Sequence, residues 1–155
     1  MSYQLFKMIH LIGVVVLIGN VTITAFWKVF ADRDGDARTI AFAQRMVTIT
    51  DWVFTASGIL LIVIGGYGMM YVAGWNPFED LWMIWSQILF AVSGVIWIAL
   101  LIPAQIRQHR AAIAFRNGGP IPDDYKRDAR TWIIWGVIAT FPLVGALALM
   151  VLKPT

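Results

Sequence analysis

No cysteine occurs anywhere in the 155 residues. That absence excludes disulfides, thiolate metal sites, iron–sulfur clusters and covalent c-type haem attachment together. Charge is scarce as well. Asp, Glu, Lys and Arg make up 14% of the chain against 59% hydrophobic residues, and the mean hydropathy is +0.73. A soluble domain of this length needs far more polar surface, so the composition belongs to an integral membrane protein. No Ser–His–Asp order, HExxH motif or pair of catalytic carboxylates is present, which leaves enzymatic activity open. The net charge of +3 and pI near 9.5 come without a basic stretch interleaved with aromatics, so nucleic acid is not the partner they imply. Two patterns look functional and are not. "DRDGDAR" opens like a calcium loop, but Gly35 comes two positions early and Ala43 stands where a bidentate Glu belongs. "GGYGMM" lies inside an apolar run, where glycines serve helix packing rather than phosphate binding.

What is present in quantity is long apolar sequence. Residues 5–27, 52–73, 81–102 and 131–152 each reach the roughly 20 residues that a spanning helix needs. The expectation is a single all-α membrane domain over residues 1–155, a four-helix transmembrane bundle. The first span is too long for a signal peptide and no small-x-small cleavage site follows it closely, so it reads as a retained helix. Ten of the 12 Lys and Arg residues fall in or beside the two long connections, residues 28–45 and 104–130, leaving Lys7 and Lys153 on the other side. Positive residues gather in cytoplasmic loops. Both termini are therefore expected in the periplasm, with the chain in the bacterial inner membrane. Its certain partner is the lipid bilayer. A membrane-protein partner or a second copy remains open, as do substrate, redox partner and pathway.

Advancing about 100° per residue puts His10, Gly13, Leu17, Asn20 and Thr24 on one side of the first helix, within an arc of roughly 80°. Asp51, Thr55, Gly58, Ile62, Gly65 and Met69 align on the second, and Ser86, Ser93 and Trp97 on the third. Small and weakly polar residues at this spacing let membrane helices approach closely. The stripes predict a partly polar seam with His10 facing inward near its outer end. Asn20, Thr22, Thr24, Thr55 and Ser93 read most simply as interhelical or backbone hydrogen-bonding groups. Asp51 is expected in an ion pair with Arg45 or Lys28, or at the interface. His109, among arginines in "QIRQHRAAIAFR", is expected to be solvated or at lipid headgroups. His10 and His109 then lie on opposite membrane faces, which argues against a bis-histidine haem between them.

The stretches "FKMIHLIGVVVLIGN", "AFWK", "AFAQRMVTITDWVFTASG", "WSQILFAVSGVIW" and "YKRDARTWIIWG" run through all four spans. On them the chain resembles the bacterial inner-membrane family named domain of unknown function 2269, which implies a fold and a location but no chemistry. A more distant resemblance is to the haem-containing J-type protoporphyrinogen oxidases and to copper-resistance D membrane domains. Lys7 and His10 match the Lys-x-x-His opening of the J-type enzymes, whose histidine is implicated in haem binding. Gly74-Trp75 and "VLKP" match two further features. The lysine after the Gly-Trp, a third-helix histidine and an Asn-Glu-x-Pro motif are missing. The resemblance therefore implies haem binding through His10 and not protoporphyrinogen oxidation.

These observations leave three readings. In the first, His10 is an axial ligand to haem b, Gly13 leaves room for the macrocycle, and Asn20 lies in the same seam; His10, Gly13 and Asn20 are the candidate cofactor-binding residues. In the second, the protein is a non-catalytic accessory or assembly subunit and His10 is hydrogen-bonded across helices. In the third, it handles copper, with Met69, Met70 and Met83 the nearest thioethers to His10.

Overall fold

Each apolar run becomes a helix, and each helix extends past its run. The computed structural model describes residues 2–154. It contains α1 (Tyr3–Asp34), α2 (Ala37–Ala73), α3 (Leu81–Phe115) and α4 (Asp123–Leu152), all long and apolar enough to cross a membrane. No strand occurs among the described residues. Helices of 30–37 residues are roughly 45–55 Å long, against about 30 Å of hydrocarbon. The surplus lies at one end, here called the loop end, opposite the terminal end that holds both termini and the turn at residues 74–80. The connections expected over residues 28–45 and 104–130 are thus mostly helical. Hydropathy falls at the membrane edge, but the Ala, Arg and Gln residues beyond it are good helix formers.

Two short breaks remain at the loop end. Gly35 closes α1 in the left-handed region, φ 79°, with its N–H bonded to the Ala31 carbonyl, a position that glycine occupies without steric cost. Asp36 then caps α2, accepting from the Thr39 N–H at 2.8 Å and the Thr39 hydroxyl at 2.9 Å. These bonds hold its carboxyl below the usual carboxylate value. The break after α3 contains Gly118 and Gly119, both at positive φ, followed by Pro120 and Pro122.

The helices pack as two antiparallel pairs, α1 with α2 and α3 with α4. The pairs meet at the loop end, where the first part of α2 lies against the last part of α3. Two apolar clusters fill that junction. Ile40, Ala112, Phe115 and Tyr125 belong to one, and Val47, Leu101, Ala104 and Trp132 to the other. Toward the termini the described helices of the two pairs make no comparable backbone contact, and a largely apolar cleft runs between them. There the Tyr67 hydroxyl of α2 donates to Gln87 Oε1 of α3 at 2.6 Å.

Two π-turns flank the cleft, Asp51–Thr55 in α2 and Trp97–Leu101 in α3. The second has a local cause: Pro103 lacks the N–H that a regular helix would use and its ring crowds the carbonyl four residues earlier. The turns meet through Trp52 and Trp97, edge to face at 6.4 Å.

Candidate functional site

The α1–α2 crossing positions the first candidate residue. A Cβ on Gly65 would lie 2.4 Å from the His10 backbone nitrogen, and one on Gly13 would lie 2.8 Å from that of Ile62. The two backbones are in direct contact, which only glycine permits at these positions. Close approach brings the His10 ring over the Ile62 carbonyl, to which Nδ1–H donates at 2.9 Å. A carbonyl only accepts, so Nδ1 carries a proton, and in the neutral imidazole the lone pair is on Nε2. The ring lines a cavity of about 250 Å³ bounded by all four helices, together with Tyr67, Met70, Gln87 and Met150. The remaining walls are mainly aliphatic. An imidazole lone pair and thioethers in such a cavity suit a borderline or soft metal, including haem iron. Among the described residues no group of three or more His, Asp or Glu gathers, so any ligation starts from His10.

The other two candidate residues face elsewhere. Gly13 is in the crossing, and the room it leaves is occupied by the backbone of α2: a Cβ at this position would lie 2.9 Å from the Gly58 carbonyl oxygen. Asn20 lies ten residues beyond His10, about 15 Å along the helix. Its Nδ2 donates to Asp51 Oδ1 at 3.2 Å and Thr55 Oγ1 at 2.9 Å, and the Thr55 hydroxyl donates to the same Asp51 oxygen at 2.9 Å. This cluster borders a second cavity of about 350 Å³. The two cavities share Leu17, Phe90, Ala91 and Leu143 as walls, so they adjoin along one cleft. Met70 lines the His10 cavity, whereas Met69 and Met83 do not.

The expected ion pair of Asp51 is absent, and the reason is where its expected partner points. Lys28 continues the inward stripe one turn beyond Thr24 and is fully buried. Its Nζ lies 2.7 Å from Asp32 Oδ2 and donates to the Tyr125 hydroxyl at 2.6 Å. Tyr125 in turn donates to Asp32 Oδ1 at 2.9 Å. This Lys28–Asp32–Tyr125 network ties α1 to α4. No motif announces it, although the spacing of Lys28 in the stripe signals its burial. Arg45 likewise makes no ion pair with Asp51. His109 is half-buried, and its Nδ1 is buried without a hydrogen-bond partner.

The inward stripe itself is observed. Gly13, Leu17, Asn20, Thr24, Lys28 and Ala31 are the buried residues of α1, and Asp51, Thr55, Gly58 and Gly65 are buried in α2. A family model described as "Predicted integral membrane protein (DUF2269)" matches residues 4–154. No curated protein and no solved structure matches the chain.

Proposed function

The chain belongs to the DUF2269 family of predicted integral membrane proteins, and from that footing we propose that it binds b-type haem in the bacterial inner membrane, with His10 as an axial ligand. The observation that carries this reading is the bond from His10 Nδ1–H to the Ile62 carbonyl. Imidazoles that ligate metals commonly donate their other ring nitrogen in this way, which fixes tautomer and orientation and raises ligand basicity. The surroundings fit a flat apolar group. A Cβ on Gly66 would lie 3.3 Å from Nδ1, so glycine keeps that wall open beside the ring. The His10 cavity of about 250 Å³ is just under the usual range for ligand sites, but the cleft continues into the larger cavity next to it. Met70 and Met150 place thioethers on the same walls, and thioether is a familiar partner of histidine at haem iron.

Bound haem supplies one-electron chemistry; the protein's part is to hold and shield it. His10 binds, the aliphatic walls exclude water, and the Tyr67–Gln87 bond links the helix pairs across the cleft. The test is the absorption spectrum of the purified protein expressed with ample haem supply. Wild type should copurify with haem b, His10→Ala should lose most of the Soret absorbance, and His109→Ala, at the other end, should keep it. A colourless wild-type protein would refute the proposal. It would leave the second reading, an accessory subunit, for which the same His10–Ile62 bond is simply an interhelical contact.

The orientation follows from the distribution of Lys and Arg. The loop end carries ten of them and the terminal end only Lys7 and Lys153, which supports a cytoplasmic loop end and periplasmic termini. Reporter fusions at residue 35 or 118 should be active in the cytoplasm. Activity outside the cell at either position would reverse the topology.

A further inference from the structure

Asp51 is a carboxylate inside a membrane protein, 6% exposed, with no cation in ion-pair distance among the described residues. Such a group is costly to retain unless something answers its charge. Asn20 and Thr55 both bind Oδ1, and neither neutralises it. The only nearby lysine on α1, Lys28, is held by Asp32 and Tyr125. The carboxylate borders the 350 Å³ cavity, whose other walls include the aromatic rings of Phe90, Trp97 and Trp132. The buried indole N–H of Trp97 faces the same carboxylate without completing a hydrogen bond of ordinary geometry. Both residues that open the two π-turns, Asp51 and Trp97, are on this cavity, and single π-turns are frequent at functional sites.

We infer that the loop-end half of the cleft is a binding site for a lipophilic cation, with Asp51 as its counter-charge and the aromatic walls as its cage. A carboxylate attracts any cation, but the cavity selects among them. Its apolar lining cannot rehydrate a small, strongly hydrated ion, whereas an organic cation brings its own apolar surface. Aromatic faces add cation–π attraction, which strengthens as water is excluded. Asp51 lines the second cavity and not the His10 cavity, so the site needs no haem. Haem extending along the shared cleft would compete for the same space, and cation binding is therefore measured on haem-free protein.

Tetraphenylphosphonium is a suitable probe because its charge does not titrate and it forms no hydrogen bonds. Equilibrium dialysis against the full-length protein in detergent should show saturable binding. Asp51→Asn, which keeps the shape and the bonds from Asn20 and Thr55, should weaken it by at least about tenfold. Asp51→Glu should retain it. Neutral triphenylphosphine oxide should compete poorly. A second readout needs no variant: affinity in wild type should fall as acid protonates the site. The groups facing Asp51 are Asn20, Thr55, Trp97 and Gln105, with Trp132 on the same cavity, and none of these titrates in that range. His10 lines only the adjoining cavity and does not face the carboxylate. Equal binding by the neutral compound, or undiminished binding to folded Asp51→Asn, would overturn the inference. So would affinity that is flat with pH, and a protein that takes up protons at Asp51 without binding the cation would show a proton site instead.

Discussion

Asp32→Ala should destabilise the protein by about 3 kcal/mol, whereas Lys28→Met should change stability by less than about 1 kcal/mol. The contrast follows from burial. Lys28 is at 1% side-chain exposure and Asp32 at 24%. Removing the carboxylate strands an ammonium that cannot reach water, and the cost of breaking a buried pair this way is roughly 3–5 kcal/mol. The lower end applies here, since Asp32 is partly hydrated and the Tyr125 hydroxyl still accepts from Nζ. Replacing Lys28 by an apolar side chain of similar length removes the charge and the need for its partner together. The double variant Asp32→Ala, Lys28→Met should therefore recover most of what Asp32→Ala loses. Thermal unfolding of the three variants in one detergent checks the sign of each term. Equal losses for Asp32→Ala and Lys28→Met would show that the pair, rather than the stranded charge, is what matters.

Gly65→Ala is expected to cost about 1–3 kcal/mol, and Gly65→Leu more, by forcing α1 away from α2. The clash is with backbone. The new Cβ would sit 2.4 Å from His10 N and 2.7 Å from its Cα, and no rotamer change relieves that. Separation would also stretch the His10–Ile62 bond. Gly19 provides the control, because a Cβ there meets nothing within 4 Å. Gly19→Ala should be neutral or slightly stabilising, since alanine is the better helix residue. Melting temperatures for the three variants settle the comparison, and equal effects at Gly65 and Gly19 would mean that the crossing is looser than described.

The parts of this fold that follow one periodicity are legible in the sequence. Hydropathy locates four spans, and the 3.6-residue spacing of His10, Gly13, Leu17, Asn20 and Thr24 identifies the buried face of α1. What escapes depends on contacts between distant segments. Hydropathy marks where lipid ends, not where a helix ends, so the helical extensions at the loop end look like connections. Their signal is nevertheless present: Ile40, Ala41, Gln44 and Val47 are spaced as a helix face, and all are buried. Charge neutralisation is the usual solution for a buried carboxylate, which points from Asp51 to the nearest cations, Lys28 and Arg45. Lys28 is instead turned toward Tyr125, 97 residues away in sequence, a pairing that no local pattern encodes. Gly13 could leave space for a ligand, but spacing alone cannot say whether a small residue faces a cavity or another backbone. The division into two helix pairs has no sequence signature, because it depends on which stripes meet.

The most direct measurement of the central claim is chemical rescue of the proposed ligand. Haem-depleted wild type should bind added haem at one equivalent, with a Soret shift that reports nitrogen ligation. His10→Gly should bind weakly or with an altered spectrum, and added imidazole should restore the wild-type band by occupying the space of the lost side chain. Rescue separates ligation from packing, since free imidazole cannot rebuild an interhelical bond that merely stabilises the fold. Haem binding by His10→Gly that is indistinguishable from wild type before imidazole is added would contradict ligation by His10.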